Sequence, residues 1–341
     1  MVERDFRLSS SRSLYAPSAE TLAGDNADIY FRRSCDILEA EQLNPVVAVE
    51  VFTRRRALLC GMREAQALLR QVLGAEAEVW SLDEGDWIEP REVVLRIRAP
   101  YRQFGLYETA LLGMLSSETG WATAAAECVA AADGVPIISF GARHIHPEVS
   151  ARMEYAAIVG GCVGCATPQG AALAGIEATG TMPHALILCL GDTLKAAEAF
   201  DRHVDAEVER IALVDTFKDE AEESLRLAEA LGEKLWGVRL DTPSERGRVT
   251  AELVAEVRAR LDQAGHSHVK IAVSGGLDAE RIGYFQAAGV PVDAFGVGSA
   301  ISAAAAIDFT ADIKEVDGRP VAKRGRIPGL TENPRLKRLE T

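Results

Sequence analysis

The chain has 341 residues, 48% of them apolar, and a formal net charge of −14. That length supports one large or two medium domains, and the acidic balance argues against a nucleic-acid or anionic-membrane surface while leaving room for a local basic pocket. No stretch reaches the ~20 apolar residues of a membrane span, the start MVERDFRLSSSRSLYAPSAE lacks the apolar core of a secretory signal, and six cysteines are too few for a disulfide scaffold, so the chain reads as soluble and cytoplasmic.

Residues 1 to about 25 read as an arm. Asn26 to Leu43 reads as a helix whose first turns crowd Asp28, Tyr30, Phe31, Arg32 and Arg33. PVVAVEVFTRR alternates like a strand, and ALLCGMREAQALLRQVLG is amphipathic and helical up to Gly74. AEVWSLDEGDWIEPREVVLRIRAP gives two or three strands with turns at Gly85 and Pro90. The stretch LYETALLGMLSSETGWATAAAECVAAADG reads as two Ala- and Leu-rich helices.

From Val135 the pattern changes. Seven short β-rich runs, PIISFGAR, GGCVGCAT, GIEATGT, RIALVDTF, LWGVRLD, VKIAVSGG and AFGVGSAI, alternate with helical stretches. Strand-then-helix units at this spacing mean parallel strands joined by crossover helices. The expected fold class is α/β: an incomplete (β/α) barrel of about seven strands with a smaller α+β sandwich domain. The tail DFTADIKEVDGRPVAKRGRIPGL reads as a hairpin turning at Asp317-Gly318. It is expected to return to the first domain, giving a discontinuous sandwich (1–115 plus 309–341) and a barrel domain (116–308).

In such barrels the chemistry sits at the C-terminal ends of the strands. Ser274-Gly275-Gly276 and Gly296-Val297-Gly298 close the last two strands. Glycines there let backbone N–H groups approach a phosphate, although ordinary tight turns use glycine too. Asp215 and Asp241 end two earlier strands, either as helix N-caps or as carboxylates for ribose hydroxyls, a metal ion or developing positive charge. Arg239 shares a strand face with Asp241. Arg143, with His144 and His146 close behind, makes a cationic loop suited to an anion. A metal site on the two histidines lacks a local third ligand.

In EATGTMPHALIL, Gly180 and Thr181 end an apolar run, Pro183 suits a first helical position, and His184 falls in the first turn of a helix running on through DTLKAAEAF. There a histidine is either a satisfied helix-end side chain or a neutral imidazole placed to take an anion. Cys162 and Cys165 form a lone CxxC in a glycine-rich apolar run and read as buried small residues. No P-loop, dinucleotide fingerprint, zincin motif or nucleophile elbow occurs. Phosphate loops, carboxylates and a histidine at a barrel mouth favour sugar-phosphate chemistry.

The ordered set ADIYFRR, FGARHIHP, GTMPHALIL, LVDTF, GVRLDT, VSGGLD and FGVGSAI resembles the nicotinate phosphoribosyltransferase family, in its shorter bacterial and archaeal branch related to quinolinate phosphoribosyltransferase. The likeness runs from about residue 20 to the tail. It implies a type II phosphoribosyltransferase that joins nicotinate to phosphoribosyl pyrophosphate, with coupled ATP hydrolysis, Mg²⁺, and an active site formed between the subunits of a homodimer. By resemblance, Tyr30 would stack on the nicotinate ring, Arg143 would meet its carboxylate or the pyrophosphate, and His184 would be the histidine phosphorylated by ATP. Asp215, Arg239 and Asp241, with Thr181 nearby, would surround the ribose and pyrophosphate. Ser274, Gly275, Gly276, Gly296 and Gly298 would hold the 5′-phosphate. Departures are Ala185, where many relatives carry serine, and the lack of cysteine after Cys189, which implies no structural zinc. Arg143-His144 replaces the Arg-Lys pair usual in the quinolinate enzymes, which favours nicotinate over quinolinate. A non-catalytic nucleotide sensor on the same fold is the alternative of a different class.

Overall fold

The computed structural model describes residues 15–339, so part of the expected arm lies outside the described residues. The chain divides into two compact units, one running up to Thr123 and resuming at Ala304, the other Ala124–Ala303.

The first unit begins with helices α1 (Ala19–Ala23) and α2 (Ile29–Ala40), strands β1 (Val46–Thr53) and β2 (Ala57–Leu58), and α3 (Met62–Val72). It continues through β3 (Glu78–Ser81), β4 (Trp87–Ile88), β5 (Val93–Pro100), the short α4 (Tyr101–Phe104) and the long α5 (Glu108–Ala131), whose last residues, from Ala124, belong to the second unit. Helix α3 buries Met62, Ala65, Leu68 and Leu69, a stripe at helical spacing. It packs with Val49, Leu95 and Ile97 of β1 and β5 in one core, and each fully buried large apolar side chain there contributes roughly 1.5–3 kcal/mol. The α3 N-terminus is capped from a distance: Glu84 accepts from the backbone N–H groups of Gly61, Met62 and Arg63 (3.1, 2.8 and 3.2 Å).

The two helices expected between residues 106 and 134 are one, α5, of 24 residues. Gly120 looks like a breaker in the sequence but serves close approach, since a Cβ there would lie 2.5 Å from the Ala305 carbonyl oxygen.

The second unit carries β6 (Ile137–Ser139), α6 (Pro147–Val159), β7 (Gly164–Cys165), α7 (Pro168–Ala174), α8 (His184–Leu190), α9 (Thr193–His203), β8 (Arg210–Leu213) and α10 (Glu220–Leu231). Then come β9 (Leu235–Leu240), α11 (Ala251–Gln263), β10 (Lys270–Val273), α12 (Ala279–Ala288), β11 (Ala294–Val297) and α13 (Ser299–Ser302). Its six strands form a parallel sheet in the order β7-β6-β11-β10-β9-β8, whose two edge strands do not pair with each other. The sheet is therefore a half-barrel of six strands, one fewer than the runs in the sequence. GIEATGT is the run that forms no strand; it is tied to the sheet by the Thr179 N–H to the Cys165 carbonyl (2.8 Å). With Ile176 as its one bulky apolar residue before Met182, it has too little to bury on a strand face.

The chain returns to the first unit through β12 (Phe309–Val316), β13 (Arg319–Pro320) and β14 (Lys337–Arg338), completing an antiparallel sheet in the order β13-β12-β1-β5-β3-β14. Asp317 and Gly318 both take positive φ (48° and 73°) in the β12–β13 turn, as a two-residue hairpin turn requires. Among the described residues no helix is long and apolar enough to cross a membrane.

Candidate active site

Strand register decides which side chains share the mouth of the half-barrel. Leu213 of β8 pairs with Arg239 of β9, Arg239 with Ala272 of β10, and Ala272 with Ala294 of β11. Side chains alternate along a strand, so the next residues on the same face are Asp215, Asp241, Ser274 and Gly296. Gly296 pairs with Ile138 of β6, which carries Phe140 and Gly298 to the same side. The opposite face meets the helices, with Phe295 packed against Phe285 of α12 (ring centroids 6.0 Å apart).

Arg239 organises this layer. It donates from Nε to Ser274 Oγ (2.8 Å), from Nη1 to Thr181 Oγ1 (2.9 Å) and from Nη2 to Asp241 Oδ2 (2.9 Å). Ser274 Oγ in turn donates to Asp241 Oδ1 (2.9 Å). The guanidinium lies over the Phe140 ring, 4.9 Å from its centroid, in cation–π range. Both Asp241 oxygens are thus engaged. The alternative of Asp241 as a helix N-cap does not hold, because α11 is capped by Thr250, whose hydroxyl accepts from the Leu253 N–H.

Asp215 is arranged differently. Its Oδ2 sits 3.0 Å from His184 Nε2, while its Oδ1 is buried with no partner among the described residues. Its side chain is 3% exposed against 38% for the histidine. Burial raises the Asp215 carboxyl above the usual range, the His184 pairing opposes that shift, and neighbouring Asp241 adds to it. Nor is Asp215 a cap, since Asp219 caps α10 by accepting from the Ala221 and Glu222 N–H groups. The expected placement of Pro183 and His184 is shifted by one: Pro183 is the cap and His184 the first helical residue. The single long helix expected after it is two, because Gly191 takes a left-handed conformation (φ 73°) and Asp192 starts α9.

The two glycine loops differ. Gly275 and Gly276 both have positive φ (93° and 65°), a turn that L side chains rarely adopt. Gly296 and Gly298 are glycine for room instead: a Cβ on Gly296 would sit 2.4 Å from the Phe140 ring, and one on Gly298 would sit 3.3 Å from His144 Nε2.

Other expected residues fall outside this hydrogen-bonded set. Arg143 is exposed in the turn Ala142–His144, and Tyr30 is 56% exposed on α2 in the first unit, its hydroxyl donating to Asp28 Oδ2 (3.3 Å). His146 Nδ1 accepts from the Glu148 N–H (3.3 Å) and caps α6. Cys162 and Cys165 are both buried, as expected of small core residues, and burial pushes both thiols up, that of Cys165 to about 12. Phe140 escaped the sequence reading, since one aromatic at the end of an apolar strand carries no periodic or motif signal.

Two sequence families match the chain: quinolinate phosphoribosyl transferase N-terminal domain over residues 28–119, and quinolinate phosphoribosyl transferase C-terminal domain over residues 121–312. A nicotinate phosphoribosyltransferase of Mycobacterium tuberculosis is 33% identical over 247 residues, 71% of this chain and 52% of that protein. One of Bacillus subtilis is 30% identical over 227 residues, 64% of this chain and 44% of that protein. The chain spans about half the length of the curated relatives it matches. Among solved structures, nicotinate-nucleotide pyrophosphorylase from Pyrococcus furiosus superposes with a TM-score of 0.86 at 46% identity, covering 92% of this chain and 81% of that one. Human nicotinic acid phosphoribosyltransferase, at 20% identity and a TM-score of 0.69 over 89% of this chain and 77% of that one, shares the fold.

Proposed function

The chain belongs to the quinolinate phosphoribosyl transferase family, and we propose that within it the protein is a nicotinate phosphoribosyltransferase of the shorter bacterial and archaeal branch. It forms nicotinate mononucleotide and pyrophosphate from nicotinate and phosphoribosyl pyrophosphate, a step of NAD biosynthesis, with ATP hydrolysis coupled through a phosphohistidine. The observation that carries the reading is the His184–Asp215 pair at 3.0 Å, set on the same strand-end layer as Arg239, Asp241 and Ser274. The curated relatives named nicotinate phosphoribosyltransferase support the choice of acceptor.

Each role follows from the chemistry of the side chain. With Nε2–H directed at Asp215, His184 keeps its Nδ1 lone pair free to attack the γ-phosphorus of ATP. The P–N bond forms as ADP leaves, and the Asp215 carboxylate steadies the imidazolium. In the transfer itself the pyridine nitrogen displaces pyrophosphate at the anomeric carbon. Positive charge builds there, and the Asp215 and Asp241 carboxylates stabilise it. Arg239, locked by three hydrogen bonds and the Phe140 ring, is preorganised beside the departing pyrophosphate. The glycine loops at 274–276 and 296–298 take the 5′-phosphate.

Mg²⁺ suits this donor set, because the unpartnered Asp215 Oδ1 is a hard oxygen ligand and a cation would relieve the burial of its charge. When bound it supplies charge neutralisation to the pyrophosphate. Arg143 meets the nicotinate carboxylate, and Tyr30, exposed on α2, stacks on the ring from the neighbouring subunit of a homodimer.

The test is to incubate the protein with phosphoribosyl pyrophosphate and either nicotinate or quinolinate, with and without ATP, and resolve the products by chromatography. The reading expects nicotinate mononucleotide, more of it with ATP. Consumption of quinolinate with release of CO₂ and indifference to ATP would identify the sister activity, and no turnover of either acid would leave a nucleotide sensor.

A further inference from the structure

Arg248 differs from those arginines of the second unit that pair with carboxylates. Arg239 pairs with Asp241, Arg226 with Asp192, Arg210 with Asp201 and Arg258 with Asp262. Arg246, two residues away, lies 3.9 Å from Glu220. For Arg248 the recorded partner is the Gly276 carbonyl, at 3.5 Å from Nη1, with no carboxylate among the described residues. The guanidinium approaches the glycine turn through its Nη1 end: a Cβ on Gly276 would be 2.7 Å from Nη1, 3.4 Å from Cζ and 3.9 Å from Nη2. Gly276 is glycine for its positive φ, and the Arg248 guanidinium occupies the space beside its Cα.

The backbone that delivers Arg248 is held on both sides. Its own N–H bonds to the Pro243 carbonyl (3.1 Å), and the carbonyl of buried Val249 accepts from Arg281 Nη2 (2.8 Å). Arg248 itself has φ 66°, a conformation that a non-glycine residue adopts at a cost. The loop after β9 thus places an exposed cation on the rim of the Ser274-Gly275-Gly276 turn, which closes β10.

We infer that Arg248 is a phosphate-binding residue of this protein, clamping the phosphomonoester end of the phosphoribosyl substrate against the 274–276 turn. Its planar fork matches two phosphate oxygens, and its unused N–H groups are free to donate to them. The inference rests on the phosphoribosyl reading above and adds to it a residue from the neighbouring strand's loop. It also divides the labour between two arginines: Arg239, tied into the strand-end network, serves the pyrophosphate side, and Arg248 serves the 5′ side.

The test separates the two ends of the substrate. Ribose 5-phosphate carries only the phosphomonoester, and inorganic pyrophosphate only the leaving group. Their binding to the full-length protein with Mg²⁺ is measured by calorimetry for wild type, Arg248→Gln, Arg248→Lys and Arg246→Gln. Loss of a charge-assisted phosphate contact predicts about 10- to 100-fold weaker ribose 5-phosphate binding in Arg248→Gln. Arg248→Lys should fall between that variant and wild type, and Arg246→Gln should stay near wild type. Pyrophosphate affinity should change less than about two-fold in every variant, since the contact is local. Wild-type affinity for ribose 5-phosphate in Arg248→Gln overturns the inference, as does equal weakening of both ligands or an equal effect of Arg246→Gln. If the wild type binds neither ligand, the phosphoribosyl reading itself fails and takes this inference with it, a result distinct from the others.

Discussion

Both units bury carboxylates, and they treat them in opposite ways. In the antiparallel sheet of the first unit, Glu50 on β1 accepts from Arg96 Nε and Nη2 (2.9 and 2.7 Å) and from the Thr331 N–H (3.0 Å). All three bonds converge on Oε1, and they tie the chain beyond the hairpin to the middle of the sheet. In the half-barrel, Asp215 has one oxygen on His184 and the other without a partner among the described residues. A buried polar group left unsatisfied costs stability, so a fold keeps one where it serves something besides folding. The Glu50 carboxylate is engaged in holding the sheet together, whereas the Asp215 carboxylate keeps an open oxygen beside His184.

The largest expected effect exchanges the two behaviours. Asp215→Asn should lower the rate of mononucleotide formation by about 100-fold or more, as removal of a preorganised electrostatic group does, while leaving the melting temperature unchanged or raised. Glu50→Ala should do the reverse, costing about 3–5 kcal/mol of stability by stranding Arg96 with little change in kcat of the folded fraction. The pH dependence sharpens the contrast. The Asp215 carboxyl is raised above its ordinary value by burial, so the folded state favours its protonated form and loses stability as pH rises through the folded pKa. The Asp215→Asn variant escapes that loss, and its gain in melting temperature should therefore be greater at about pH 8 than at about pH 4. A gain that grew toward acid would contradict the assignment of burial as the cause.

A smaller effect separates glycines by what surrounds them. Gly296→Ala must displace the Phe140 ring, and with it the seat of Arg239, so a loss of about 1–3 kcal/mol in stability is expected together with a raised KM for phosphoribosyl pyrophosphate. Gly283→Ala, inside α12 with open space around the new Cβ, should instead stabilise by roughly 0.5–1 kcal/mol and leave kinetics alone. Thermal melts and steady-state assays on the two variants decide both.

The same contrast explains how much was legible in the sequence. The alternation of β-rich and helical runs after Val135 gave the parallel sheet, because buried strands and amphipathic helices write their periods into the chain. Strand ends gave Asp215, Arg239, Asp241 and Ser274, since alternation fixes which residues share a face. The failures were of another kind. GIEATGT looks like a strand until one asks what it would bury, and Gly120 looks like a break until the Ala305 carbonyl is found against it. The His184–Asp215 pair joins residues 31 apart, and the seat of Arg248 on Gly276 depends on a left-handed arginine. Such contacts depend on where loops land in space, and no local pattern encodes that.

His184 is the residue on which the account turns, so the most direct measurement is the ratio of ATP hydrolysed to nicotinate mononucleotide formed, in wild type and in His184→Ala. The account predicts a ratio near one for the wild type, as coupling requires, and loss of both the ATPase activity and the ATP stimulation in the variant, with slow uncoupled mononucleotide formation remaining. An unchanged ratio and undiminished ATP stimulation in His184→Ala would contradict it.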